Sequence, residues 1–352
     1  MENNGQIRAA QNRTKRNQSI DIMKFALAVL VVVIHAEVDV GIFHPFLSMA
    51  IPIFFITSSY FFFGKIRAAE TQHQRNQILF KFLKRNMMLY GFWFLVLLPI
   101  TLYIRDWFSG SAVMSVLRFL QSFLFNSTFR GSWYIMALNI GVALVFLLSQ
   151  KLKTPVLLAI GFVVYLVVCL TSNYYGLIER SSTALELYNG YMDIFRSVNN
   201  SFPAGIFWIV LGKALSENER NWNRGFLLAV IAVSSVLLLV EHGVITYFGL
   251  ALSNHGYLAL VPLCVAVFCS VRNARTSVGT NLRLGHMSTI VYAVHTSLVT
   301  VLGAILHRVT PLTGQPFQWV LLVLTMLFSL ACCGIIFLFE KKNGFRWLRF
   351  AY

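Results

Sequence analysis

The segment that decides the fold covers residues 20–39 and reads IDIMKFALAVLVVVIHAEVD. It is apolar from Phe25 to Ile34, with Asp21 and Lys24 before that run and His35 directly after it. A bilayer's hydrocarbon core is about 30 Å thick, and an α-helix needs roughly 20 mostly apolar residues to cross it. The segment therefore predicts a transmembrane helix that carries ionisable side chains.

Similar apolar runs recur along the chain, and short polar breaks separate them. Unpaired peptide groups are costly in lipid, so each crossing is expected to be helical. The runs predict ten spans, at residues 20–39, 46–64, 86–104, 131–149, 155–172, 200–215, 225–242, 255–271, 287–306 and 317–339. The span at 200–215 is the shortest and contains Pro203 and Gly212, so we expect it to be kinked or enclosed by other helices.

The predicted fold is thus an all-α, polytopic transmembrane helical bundle. We expect one membrane domain over residues 20–339, between basic tails at residues 1–19 and 340–352. Two long connections, at 105–130 and 173–199, are predicted on the outer side. They are interpreted either as a substrate vestibule or as an interfacial helix and a spacer.

Composition excludes several classes of protein. Of the 352 residues, 57% are hydrophobic and 12% are charged, whereas a soluble domain carries roughly 25% charged residues. The net charge of +16 is spread between apolar runs rather than gathered in one patch, which argues against a nucleic-acid partner. The five cysteines lie in apolar segments without metal-ligand spacing, so neither a disulfide framework nor a metal site is predicted.

The distribution of Lys and Arg predicts the orientation. Alternate connections are rich and poor in these residues, with 22 on one side, six on the other and Lys24 within the first span. Because basic residues accumulate on the cytoplasmic side, we expect both termini in the cytoplasm.

Ionisable residues inside the first span are the first candidates for function. At about 100° per residue, Lys24 and His35 return to nearly the same helix face, and Asp39 lies one turn beyond His35 if the helix continues. An imidazole has an intrinsic pKa of about 6.5 and suits general-base chemistry, and a neighbouring carboxylate can orient it. The alternative is that His35 is a hydrogen-bonded helix-end residue while Glu37 and Asp39 are solvated.

Two further positions are open to both structural and functional interpretations. His295 is a second imidazole within a predicted span, and its polar neighbours suit either a site or a hydrogen bond between helices. Trp133 opens the fourth span beside Arg130, where an aromatic belt at the membrane interface is the simpler explanation. Familiar motifs of soluble enzymes, including G-x-S-x-G and the phosphate-binding loop, do not occur in the chain.

Several strings together resemble the integral-membrane acyltransferase-three family, which includes bacterial O-acetyltransferases of surface polysaccharides. The most specific is the proline, double phenylalanine, small residue and tyrosine pattern of the second span. The strings occur in the family's order at residues 21–35, 51–61, 130–135, 207–212 and 288–295. Lys24 stands where the family more often has arginine, and Ser59 stands where it usually has glycine.

The resemblance implies transfer of an acyl group, commonly acetyl from a cytoplasmic acyl-coenzyme A, to a hydroxyl of an envelope carbohydrate or a lipid-linked acceptor. It also implies a location in a bacterial plasma membrane. It implies His35 as the essential residue, acting as base or transient acyl carrier, and no bound cofactor. Asp39 is added from helical geometry. The predicted site comprises His35 and Asp39 as catalytic residues and a donor or substrate pocket of Lys24, Ser58, Arg85, Arg130, Trp133, Tyr292 and His295.

The role of the basic residues around Arg85 and the class of protein each have an alternative interpretation. Arg85, with Lys81 and Lys84, is expected to attract the phosphates of coenzyme A, although the orientation rule explains the same charges. A multi-helix transporter of a small molecule or an envelope intermediate is the leading non-enzyme interpretation, because intramembrane charge and a short helix also suit a transport pathway.

Overall fold

The computed structural model describes residues 17–104, 111–195, 197, 200–253, 256–274 and 283–352. Within these ranges every regular element is a helix. The α-helices are α1 (Gln18–His35), α2 (His44–Leu47), α3 (Ala50–Arg67), α4 (Gln72–Val96), α5 (Leu98–Ile104), α6 (Ala112–Phe125), α7 (Trp133–Leu148), α8 (Thr154–Leu170), α9 (Tyr175–Ile178), α10 (Ser182–Phe195), α11 (Pro203–Glu217), α12 (Arg224–Tyr247), α13 (Leu260–Asn273), α14 (Leu284–Val309) and α15 (Gly314–Phe339). Short 3₁₀ helices occupy Gly41–Phe43 and Arg346–Ala351.

The predicted all-α class is confirmed, and each of the ten predicted spans falls on a helix. Among the described residues, five stretches are long and apolar enough to cross a membrane: α1, Gly41–Arg67, α12, α14 and α15. A sixth is added if α4 and α5, which meet at a bend of 68°, form one broken span. The number of crossings therefore stays a prediction.

The predicted end of α1 and the predicted start of α4 are wrong. α1 ends at His35 rather than at residue 39. α4 begins at Gln72, so the break between the predicted spans 46–64 and 86–104 is largely helical. Its start is a capping box in which Thr71 and Gln74 each bond the other's backbone N–H. Hydropathy detects only the apolar second half of such a helix.

The short helix α11 is enclosed by its neighbours, as expected. It packs against α3, α7 and α8, and Pro203 occupies its first position, where proline does not kink a helix. Contact with α3 is close: a Cβ added to Gly212 would lie 2.0 Å from the Ser59 Oγ and 2.5 Å from the Ile56 carbonyl oxygen. Glycine is therefore required at position 212.

The long helix α14 packs against both α1 and α15. α1 runs in the direction opposite to α7 and α11, so the C-terminal end of α1 meets the N-terminal ends of the other two. We call this end of the bundle, marked by His35, Trp133 and Ala204, the histidine end. The opposite end, marked by Lys213 and Arg283, is called the basic end.

A compact group of polar and aromatic side chains lies at the basic end. Arg283 forms a 2.5 Å ion pair with Glu340 and donates to the Tyr352 hydroxyl at 2.7 Å, while that hydroxyl donates to Glu340. The Trp93 indole N–H donates to the Ala351 carbonyl at 3.0 Å. These five residues are called the C-terminal cluster, and they tie the last residues to α4, α14 and α15.

Candidate functional site

Two histidines face each other at the histidine end. His35 is the last residue of α1, and His295 lies in α14. Their ring centroids are 5.0 Å apart, with the planes inclined at 48°. His35 is exposed, whereas His295 has 0% exposure. His35 is therefore the accessible member of the pair.

The hydrogen bonds of His295 determine which ring nitrogen carries its proton. Nδ1 lies 2.7 Å from the Tyr292 carbonyl oxygen and 3.1 Å from that of Val291. A carbonyl only accepts hydrogen bonds, so the network assigns the proton of the neutral ring to Nδ1. Nε2 then carries a lone pair, and this buried atom has no hydrogen-bond partner among the described residues. His295 thus holds an acceptor nitrogen ready for another group.

α1 ends in a Schellman motif directly after His35. The N–H of Glu37 donates to the Ile34 carbonyl at 3.2 Å, and the N–H of Val38 donates to the Val33 carbonyl at 3.3 Å. Glu37 has a φ of 56°, a left-handed conformation that costs an L residue about 1–2 kcal/mol. The chain therefore leaves the helix axis immediately beyond His35.

The segment before α7 is bonded to α14. The Thr296 hydroxyl donates to the Arg130 carbonyl at 2.7 Å, and the Tyr292 hydroxyl donates to the Gly131 carbonyl. Gly131 has a φ of +84°, and a Cβ there would lie 3.2 Å from the Thr296 Oγ1, so the position needs glycine. These contacts hold Trp133, the first residue of α7, beside the histidines.

Aromatic rings connect this segment to α3. The Tyr134 ring packs edge-on against Tyr292, with centroids 5.5 Å apart, and lies 4.7 Å from the Phe55 ring. The Tyr134 hydroxyl is 3.2 Å from the Ser58 Oγ. Ser58, a predicted pocket residue, therefore supports the site through Tyr134.

These elements enclose a cavity of about 550 Å³. That volume falls in the range of roughly 300–1,000 Å³ in which small-molecule sites occur. Five of the predicted site residues line it together: His35, Arg130, Trp133, Tyr292 and His295. The structure thus gathers residues that are up to 260 positions apart in the sequence.

Lys24 and Arg85 lie away from this cavity. Lys24 is half-buried in α1, and the eleven residues to His35 correspond to about 16 Å of helix. Arg85 is exposed on α4. Its neighbour Asn86 donates a 2.8 Å hydrogen bond to the Asn139 side chain of α7.

The expected geometry of Asp39 is wrong. It was predicted one helical turn beyond His35 on the same stripe, but the helix ends at His35. The Asp39 carboxylate instead accepts a 2.8 Å hydrogen bond from the N–H of Gly41, and its own N–H donates to the Gln315 side chain at 2.9 Å. Asp39 therefore shapes the turn after α1 and does not line the cavity.

The cavity residues that the sequence prediction did not include are represented by Glu37, Thr296 and Trp208. Glu37 was interpreted only as a solvated residue, and Thr296 and Trp208 were not singled out. Thr296 follows His295 directly, so its place in the sequence could have identified it as a residue near the site. Trp208 lies in α11, with 2% exposure. It belongs to the 207–212 string of the family resemblance, but that string did not indicate that Trp208 lines the cavity.

Among the described residues, no group of three His, Cys, Asp or Glu side chains is arranged to hold a metal ion. The cavity combines two imidazoles with N–H donors, hydroxyls and aromatic faces. Such a set suits proton transfer and the binding of a polar organic molecule.

The acyltransferase domain family, the acyltransferase-three group, matches residues 17–338, which is most of the chain. The protein therefore belongs to this family, and membership supports acyltransferase activity. No solved structure matches the chain significantly.

Curated relatives of the chain carry racemase names. An amino-acid racemase of Enterococcus faecalis is 23% identical over 75% of this chain and 37% of its own length. A serine/alanine racemase of Enterococcus gallinarum is 23% identical over 94% of this chain and 47% of its own length. The chain thus spans less than half the length of these relatives, and the similarity is distant.

Proposed function

We propose that the protein is a membrane O-acyltransferase that moves an acetyl group from a cytoplasmic acyl-coenzyme A to a hydroxyl of a cell-envelope carbohydrate or related molecule. The observation that carries the proposal is the exposed His35 beside the buried His295 on one cavity wall, in a chain of the acyltransferase-three family. The histidine end faces the outside of the cell in this proposal, and the basic end faces the cytoplasm.

His35 is the residue that meets the reacting groups, because it is the accessible imidazole. Acting as base, it takes the proton of the acceptor hydroxyl while the oxygen forms a C–O bond to the acyl carbon and the C–S bond of the thioester breaks. The proton ends on the departing coenzyme A thiolate. Acting as carrier, the His35 ring nitrogen first forms a C–N bond to the acyl carbon while the C–S bond breaks, and the ring proton leaves with the coenzyme A thiolate. The acceptor hydroxyl then forms a C–O bond to the acyl carbon, the C–N bond breaks, and the hydroxyl proton returns to the imidazole.

His295 supports His35 in both routes. Its Nδ1–H is held by two helix carbonyls, so its ring is fixed in orientation and tautomer. Its free Nε2 accepts a hydrogen bond from the His35 ring N–H when that exposed ring turns toward it. This arrangement gives His35 a defined tautomer, as the carboxylate does in a catalytic triad. The N–H donors of Arg130 and Trp133 on the same cavity suit the developing oxyanion.

The test is transfer of labelled acetyl from acetyl-coenzyme A in bacterial membranes that contain native envelope carbohydrate. Wild-type protein, His35→Ala and the control His73→Ala are compared at equal levels of inserted protein. His73 is an exposed residue of α4 that bonds Gln77, away from the cavity. We expect label in carbohydrate with wild type and His73→Ala, and none above background with His35→Ala.

Equal label in the His35→Ala membranes would overturn the assigned role of His35. Absence of labelled product with expressed wild-type protein and intact envelope would favour transport over acyl transfer. Uptake of labelled substrates into vesicles would then be the next measurement.

A further inference from the structure

Glu37 is the one described non-glycine residue with a positive φ. It fills the position of the Schellman motif where glycine is favoured because it lacks a Cβ. Of the other described residues with positive φ, every one is glycine. A glutamate at this position is therefore unfavourable for the local fold, and strained residues of this kind concentrate at functional sites.

Glu37 also lines the cavity that contains His35 and His295. It is the only carboxylate on the described cavity wall, and its side chain is exposed there rather than buried in the protein. The strained backbone and the cavity position are separate observations, and both single out the same side chain.

We propose that Glu37 is an acceptor-binding residue, whose carboxylate accepts hydrogen bonds from neighbouring hydroxyl groups of the acceptor and holds one of them beside His35. The inference rests on the proposed acyl transfer and names the class of acceptor. An ionised carboxylate has two oxygens with about four acceptor sites and no donor. It therefore suits a molecule that presents two or more hydroxyls, such as a sugar ring.

The aromatic side chains of the cavity fit the same acceptor class. Trp133, which is partly exposed, contributes an aromatic surface to the wall, and an indole ring combines an apolar face with an N–H donor. A sugar ring has apolar C–H faces and a rim of hydroxyls, so one molecule satisfies both parts of the wall.

The experiment uses four substitutions of Glu37 that separate charge from backbone strain. Glu37→Gly removes both, Glu37→Asn removes the charge and tolerates positive φ, Glu37→Gln removes only the charge, and Glu37→Asp keeps the charge. Glu179→Gln, an exposed acid outside the cavity, is the control. Thermal unfolding is measured in nanodiscs, and label transfer is measured in membranes with native envelope carbohydrate as the acceptor.

We expect the neutral variants to lose activity without losing stability. Glu37→Gly raises the unfolding midpoint by about 2–4 °C, Glu37→Asn raises it less, and Glu37→Gln leaves it unchanged. All three lower the maximal transfer rate about 10- to 100-fold, while the KM for acetyl-coenzyme A stays the same. Glu37→Asp retains more transfer than any neutral variant.

Three results would overturn the inference. Wild-type transfer rates in Glu37→Gly or Glu37→Asn would show that Glu37 only ends a helix. A raised KM for acetyl-coenzyme A would assign it to the donor instead. If wild-type protein transfers no label, both the proposed function and this inference are wrong. If wild-type protein transfers label and the variants transfer as much, only the inference is wrong.

Discussion

The polar groups of the C-terminal cluster at the basic end are paired with each other, whereas not every described polar group of the cavity at the histidine end is paired. In the C-terminal cluster, the charges of Arg283 and Glu340 pair with each other and with Tyr352. In the cavity, the buried Nε2 of His295 has no partner among the described residues, and Glu37 keeps a strained backbone. The first arrangement stabilises the fold, and the second lowers stability and leaves groups ready for another molecule.

The largest expected effect is on label transfer and concerns the cavity. His295→Leu removes the proposed acceptor of the His35 hydrogen bond, so we expect label transfer to fall by about 10²- to 10⁴-fold. Stability should change by less than about 1 kcal/mol, because the lost Nδ1 bonds are offset by removal of an unsatisfied nitrogen. Transfer assays and thermal unfolding on the same preparation check both expectations.

Ser329→Ala is the matched control for that experiment. The Ser329 hydroxyl is also buried and unpartnered among the described residues, but it lies in α15 and does not line the cavity. Transfer should be unchanged in this variant. If both substitutions reduced transfer equally, the specific role of His295 would be lost.

The next effect tests the C-terminal cluster. Glu340→Ala leaves Arg283 without its ion pair, and we expect a loss of about 2 kcal/mol of stability after allowing for the partial exposure of Arg283. Transfer per folded molecule should not change, since the cluster lies at the opposite end of the bundle. Unfolding in nanodiscs measures the first expectation, and a fall in transfer would show that the two ends are coupled.

The same cluster predicts a pH dependence. Burial alone would raise the pKa of Glu340, but hydrogen bonds from Tyr352 and Arg283 outweigh it and hold that pKa below its ordinary value. A carboxyl with a lowered folded pKa contributes stability above its unfolded pKa of about 4.3, and that contribution disappears as the pH falls through the folded pKa. Glu340→Gln should therefore flatten the stability curve at acid pH, and an unchanged curve would contradict this account.

The smallest effect concerns Trp93. Trp93→Phe removes its hydrogen bond to the Ala351 carbonyl, and we expect a loss of about 1 kcal/mol without any change in transfer. Trp319→Phe, at a side chain that is 49% exposed, serves as the control. A loss of equal size in both variants would indicate that ring size, rather than the hydrogen bond, determines the result.

The sequence predicted the helical class and the main members of the candidate site. Apolar runs of helix length are visible without tertiary information, and the family resemblance joined His35 to Trp133 and His295. Distances between such residues are not visible in this way. The 5.0 Å separation of the two imidazole rings depends on how α1 and α14 pack, which no local pattern specifies.

The error at Asp39 has a local cause. A helix end is usually recognised by glycine or asparagine just beyond the last turn, and here that position holds Glu37. The prediction therefore extended α1 by a turn and assigned the carboxylate role to Asp39. Because Glu37 stands where glycine or asparagine is usual, the sequence indicated neither the end of α1 nor the position of Glu37 on the cavity wall.

The length of α8 has a consequence for the surrounding lipid. Its 17 residues correspond to about 26 Å of helix, several ångströms less than a typical hydrocarbon core of about 30 Å. It carries exposed apolar side chains such as Ile160, Val163 and Val167, so in the proposed membrane setting it meets acyl chains directly. Lipids beside it must shorten or tilt their chains to cover it, which costs a fraction of a kcal/mol per ångström. The free energy of the protein in the membrane is therefore expected to depend on bilayer thickness, through the lipids that contact α8.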